Sequence, residues 1–202
     1  MNYTELSLNR LREVSIEAAW KIKQIENIDL IVYVAKAGFP IAIYMNEVLQ
    51  CGIIGIDAKR KGNGIKSVLG AIVSYMPRFI RDILITIEIK SNVHKQDTER
   101  NICFHESVDR ISRSNVKSIL IVDDSVDTGN SIRAVVEAVK EVFPRADTKI
   151  YSLNVWEQSK ALVSVDYMTY VDTVIRAPMS KDSREYKNFC KLYDRETKDG
   201  YI

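Results

Sequence analysis

The chain has 202 residues, enough for one substantial core or for a domain with a small subdomain. Its 29 lysines and arginines stand against 27 aspartates and glutamates, so no strong global field draws it to nucleic acid. Cys51, Cys103 and Cys190 are too widely spaced for a metal site or a disulfide framework and read as reduced, mostly buried thiols.

No apolar run is long enough to cross a bilayer and the N-terminus lacks a secretory h-region, so a cytoplasmic protein without a membrane partner is expected. Leu8, Leu11, Ser15, Ala18, Ala19, Ile22 and Ile25 recur at helical spacing and predict a first helix, ended by residues 27–29. DLIVYV at 29–34 reads as a strand, AKAGFP at 35–40 as a glycine-bearing turn, and 41–49 as a second helix. GIIGID at 52–57 predicts the next strand, followed at 58–64 by a basic, glycine-bearing turn expected to be mobile. Ile65, Val68, Leu69, Ile72, Val73 and Met76 keep helical spacing up to Pro77, and Phe79, Ile80, Ile83, Leu84 and Ile87 continue an apolar face. Residues 65–90 therefore read as a helical element whose apolar face suits packing or a dimer surface. The stretch 88–107 is polar up to Asn101 and carries or adjoins both histidines, His94 and His105, neither with the partners of a nucleophile or a metal ligand.

ILIVDDSVDTGNS at 119–131 is the most informative run. Four apolar residues suit a strand buried on both faces. They end in Asp123 and Asp124, and Asp127 leads into Thr128-Gly129-Asn130-Ser131, where a helical pattern starts. Small hydroxyl and glycine residues at a helix N-terminus suit a turn whose amides close around an anion. One loop thus offers acids at its start and a phosphate cradle at its end, a layout that fits a phosphorylated sugar. The acid pair also admits a Mg²⁺ site of a phosphohydrolase or receiver-like domain, or a solvated turn that caps the next helix.

Beyond it, Ile132, Val135, Val136, Val139 and Val142 stripe an amphipathic helix ended by Phe143-Pro144. KIYSLNVW at 149–156 reads as a strand with Trp156 in the core, and 165–168 and 173–178 as short terminal strands. Asp182 and Glu185 have capping-box spacing ahead of a short helix whose buried face is Tyr186, Phe189, Cys190 and Tyr193; residues 198–200 are expected to fray.

The run at 119–131 resembles the phosphoribosyl pyrophosphate (PRPP) signature of type I phosphoribosyltransferases: an apolar strand, two adjacent acids, a spacer, then Thr-Gly-x-Ser/Thr. The resemblance implies that Asp123 and Asp124 hold the ribose hydroxyls and, mainly through PRPP, Mg²⁺. It implies that Asp127, Thr128, Gly129, Asn130 and Ser131 wrap the 5′-phosphate. An acid at Asp127 looks like the 6-oxopurine (hypoxanthine/xanthine-guanine) branch, where it sits beside the base; Asp127 is then the candidate for the acceptor's proton. Lys36-Ala37-Gly38 lies where the family has its pyrophosphate loop, although the same residues also read as an ordinary turn. Lys59 or Arg60 matches the basic residue after the second strand, or belongs to a solvated turn. His94, Lys95, Thr98, Glu99 and Arg100 occupy the place of the family's lid, or of a plain surface loop.

The tail departs from the family. Residues 174–177 (VIRA) lack the aromatic that purine enzymes stack on the base, leaving Tyr167 or Tyr170 as substitutes. The resemblance implies one phosphoribosyltransferase-like α/β domain over 1–202, a mostly parallel sheet flanked by helices. An inserted helical element falls at about 65–90, and a hood and C-terminal tail at about 160–202. It implies a Mg²⁺-dependent homodimer that transfers 5-phosphoribose from PRPP to a small nitrogenous acceptor. The rival on the same fold is a non-catalytic regulator that only binds PRPP or a nucleotide.

Overall fold

The computed structural model describes residues 2–60, 100–105, 111 and 115–198. The expected helical element at 65–90 and the lid candidates His94, Lys95, Thr98 and Glu99 lie outside them. The chain divides into two compact units, one of Met1–Ala58 with Ile102–Ile202 and one of Lys59–Asn101. In chain order the described elements are β1 (Asn2–Glu5), α1 (Leu8–Lys23), β2 (Leu30–Val34), α2 (Gly38–Leu49), β3 (Gly52–Arg60) and β4 (Arg100–Phe104). Then come β5 (Ser118–Val126), α3 (Asn130–Val142), β6 (Asp147–Val155), β7 (Tyr167–Val171), β8 (Thr173–Arg176) and α4 (Tyr186–Lys198).

Six strands form one sheet in the order β4-β3-β2-β5-β6-β7, and β2/β3, β2/β5, β5/β6 and β6/β7 all pair parallel. Every residue of β2 is buried, as expected of a parallel strand covered on both faces. Side chains alternate between the two faces. Ile31, Tyr33, Leu120 and Val122 join Leu11, Ile22, Phe39 and Met45 of α1 and the first turns of α2 in one core. Leu30, Val32, Ile119 and Ile121 join Ile132, Val135, Val139 and Phe143 from α3 and its end in the other. Each such side chain contributes roughly 1.5–3 kcal/mol of burial. No described helix is long and apolar enough to cross a membrane.

A second, two-stranded parallel sheet joins β1 to β8, with Asn2 opposite Thr173 and Glu5 opposite Arg176. Neither the strand at 2–5 nor this pairing follows from the local sequence pattern.

Several boundaries differ from expectation. Helix α2 starts at Gly38 rather than Ile41, because Pro40 falls in the first turn, where a backbone N–H has no helical partner to lose. Strand β3 runs on through Lys59 and Arg60 instead of turning at Ala58. Ile25 lies past the end of α1 and is exposed rather than on its buried face. The capping box at Asp182 and Glu185 does not form. The Arg176 guanidinium holds the Asp182 carboxylate at 3.1 Å, and Glu185 Oε2 instead accepts the Leu8 N–H at 3.1 Å, capping α1 together with Ser7. The thiols are not mostly buried: Cys103 is exposed, and Cys51 and Cys190 are half-buried. Burial still pushes the Cys51 thiol up to about 11, which keeps it protonated.

Candidate active site

The sheet order reverses its direction of growth between β2 and β5, and ligands of open α/β sheets bind at the carboxyl ends of strands flanking such a switch point. Register puts Tyr33 opposite Val122 and Asp123 opposite Ser152, so the turn after β2 emerges beside the acid pair of β5. Gly38 makes that approach close: a Cβ added there would stand 2.6 Å from the Val122 carbonyl oxygen. Lys36, Ala37 and Gly38 are thereby brought against the end of the motif strand. The Lys36 ammonium is exposed and lies 5.4 Å from the centre of the Tyr193 ring.

β5 does not stop at Val122 but continues through both acids to Val126. Asp123 is 6 % exposed, whereas Asp124 is half-buried. The Asp124 N–H donates to Asp123 Oδ1 at 2.9 Å. Burial raises the Asp123 carboxyl well above the ordinary carboxylate range, and the adjacent Asp124 charge raises it further. Burial raises Asp124 as well.

Asp127, Thr128, Gly129, Asn130 and Ser131 turn the chain from β5 into α3. Gly129 is the residue before the helix, with φ 84°, and a Cβ there would come within 2.9 Å of Val163 Cγ1. The position needs glycine both for its left-handed backbone and for space. No side chain caps α3, and none caps α2 at Ala37. Two helix N-termini, each with backbone N–H groups that have no partner within their helix, thus lie next to an acid pair whose first member is buried. Such ends favour anions.

Next to the α3 turn lies a hollow of about 490 Å³ whose described lining residues are Asp127, Trp156, Glu157, Gln158 and Asp172. A smaller one of about 190 Å³ touches Asp124, Ser125, Asn154, Thr173 and Val174 and shares Trp156 as a wall. Asp127 is exposed and accepts a hydrogen bond from Gln158 Nε2 at 2.5 Å. Trp156, expected in the core, is half-buried at the end of β6 and lines both hollows. The strand ends at Val155, which leaves Trp156 just beyond it rather than inside the core. Tyr167 lies elsewhere, in a groove with α1 where its hydroxyl meets Glu26 at 3.2 Å, and Tyr170 packs against the core beneath α1.

His105 is a packing residue. Its ring covers Gly55, where a Cβ would stand 2.3 Å from Nδ1, and its Nδ1 lies 3.4 Å from the Tyr33 hydroxyl. Among the described residues no group of three His, Cys, Asp or Glu side chains could hold a metal alone.

A family model described as a phosphoribosyl transferase domain matches residues 5–177. Among solved structures, a xanthine-guanine-hypoxanthine phosphoribosyltransferase of Helicobacter pylori is similar at TM-score 0.63 and 17 % identity, over 93 % of this chain and 99 % of its own. A purine phosphoribosyltransferase of Pyrococcus horikoshii is similar at TM-score 0.58 and 18 % identity, over 91 % and 97 %. A hypoxanthine-guanine phosphoribosyltransferase of Bacillus anthracis gives 0.54 and 16 %, over 82 % and 81 %. No curated protein sequence matches the chain.

Proposed function

The chain belongs to the phosphoribosyl transferase family, and from that membership we propose that it transfers 5-phosphoribose from PRPP to a purine-like nitrogenous base, releasing pyrophosphate. One observation supports the reading above others: the uncapped N-termini of α2 and α3 begin at the strand end that carries the acid pair, of which Asp123 is buried. PRPP is a sugar with a phosphate at one end and a pyrophosphate at the other. The α3 turn of Asp127, Thr128, Gly129, Asn130 and Ser131 suits the 5′-phosphate, and Lys36, Ala37 and Gly38 suit the pyrophosphate, with Lys36 as countercharge. Asp123 and Asp124 suit the ribose hydroxyls between them.

In the transfer, the bond from ribose C1 to the pyrophosphate oxygen breaks and its electron pair leaves with pyrophosphate. The lone pair of an acceptor ring nitrogen forms the new bond to C1, and the proton this nitrogen gives up passes to the Asp127 carboxylate. Positive charge builds on the ribose as the bond loosens, as in glycoside cleavage. The Asp123 and Asp124 carboxylates near the end of β5 favour that charge electrostatically. Mg²⁺ belongs to the proposal. Two carboxylates with no third protein ligand among the described residues fit a hard ion that is held mainly by the substrate's oxygens. When bound, the ion neutralises the departing pyrophosphate.

The proposed working form is a cytoplasmic homodimer acting on small molecules, with neither nucleic acid nor membrane as partner. Near-balanced charge supports the first exclusion, and the exposed Trp20 and Ile25 offer apolar surface to a second copy. The test is incubation with PRPP, Mg²⁺ and a panel of purine bases, with nucleotide and pyrophosphate quantified. Equal amounts of both products are expected. Asp127→Asn should lower kcat about a hundredfold or more while PRPP affinity stays near wild type. PRPP left intact with every base would overturn the transferase reading.

A further inference from the structure

The lining of the larger hollow is unusual in its hydrogen-bonding sense. Among the described residues that line it, Asp127, Glu157 and Asp172 are carboxylates, which accept hydrogen bonds and donate none when ionised. Among the described residues no lysine, arginine or histidine lines it. Of the two remaining side chains, Gln158 gives one amide N–H to Asp127 at 2.5 Å and keeps its second N–H and its carbonyl for a ligand. The indole N–H of Trp156 is the other side-chain donor. The backbone N–H of Glu157 is also committed, to Asp172 Oδ1 at 2.8 Å. Lys160 meets Glu157 Oε2 at 2.8 Å, with both side chains more than half exposed. A pair so exposed exerts little pull in water.

Resting on the transferase reading above, we infer that this hollow takes an acceptor base whose edge carries amino or amidine N–H donors, an aminopurine-type ring, in preference to one whose edge carries oxo groups. The acid-rich wall of Asp127, Glu157 and Asp172 beside Trp156 carries the inference. An exocyclic amino group facing Glu157 or Asp172 replaces its water partners with charge-assisted hydrogen bonds. An oxo group there turns its lone pairs toward carboxylate lone pairs and leaves its own hydrogen-bonding capacity unmet. Trp156 supplies the aromatic wall that both kinds of ring need, so it does not discriminate between them. The position of the acids decides the choice.

The experiment compares adenine and 2,6-diaminopurine with hypoxanthine and xanthine, in the full-length protein with PRPP and Mg²⁺. Initial rates of pyrophosphate release are read alongside direct titration of each base into the PRPP-loaded protein. The amino bases should show at least about a tenfold advantage in kcat/KM, or in affinity where turnover is slow. Glu157→Lys, which puts a donor on the same wall, should shrink or reverse that preference while PRPP affinity stays unchanged. Equal use of both classes, a preference for the oxo bases, no binding of any base, or a Glu157→Lys variant with unaltered preference would overturn the inference. Loss of PRPP binding itself in the wild type is a different result, since it sinks the transferase reading rather than the choice of base.

Discussion

At the scale of single residues the site is organised around a carboxylate in the wrong solvent. Asp123 is 6 % exposed and has a second acid as its chain neighbour, so the ligand-free fold favours its protonated form. A carboxyl whose folded pKa lies above its unfolded value, ordinarily near 3.8, stabilises the fold below that value, and the contribution is lost as pH rises through the raised folded value. The pair's cost to the ligand-free protein therefore grows as pH rises and is full only above that raised value. Asp123→Asn keeps an oxygen to accept the Asp124 N–H but removes the ionisation. Thermal unfolding followed from about pH 4 upward should show the variant more stable than wild type near neutrality, with a flatter pH profile. A variant less stable across that whole range would remove burial as the cause. The acid pair was legible in the sequence because two adjacent carboxylates closing an apolar run have few structural uses. Trp156 was not, because a tryptophan at the end of a strand carries the same local signal whether it faces a core or a cavity.

At the scale of elements, the two loops depend on how closely α2 and α3 can begin to the sheet. Gly38 lets the first turn of α2 sit on the end of β5, and Gly129 supplies the left-handed residue from which α3 starts. Gly38→Ala would force its Cβ against the Val122 carbonyl oxygen, which is backbone and cannot swing aside. Expected are a loss of roughly 1–3 kcal/mol of stability and a weakened affinity for PRPP. Urea denaturation and PRPP titration check the two effects, and a variant with wild-type values in both would show that the close approach is not needed. Helices and central strands were legible from their periods. Their ends were less so. Pro40 reads as a turn residue until it is seen in a first helical turn, and the acids at 182 and 185 form no box because Arg176 and the Leu8 N–H take them.

At the scale of the molecule, the function follows from a topology that makes two loops, 84 residues apart between Gly38 and Val122, into neighbours. That parallel α/β arrangement could be read from buried runs alternating with helical stripes. The pairing of β1 with β8 could not, since four-residue strands at opposite ends of the chain leave no local trace of each other. The central claim is that the acid pair and the two helix N-termini form one PRPP site. The most direct test is calorimetric titration of PRPP with Mg²⁺ into wild type and an Asp123→Asn/Asp124→Asn variant, with circular dichroism confirming that both are folded. Saturable wild-type binding that the folded variant loses is the expected result. No binding by wild type, or equal binding by both, would contradict the claim.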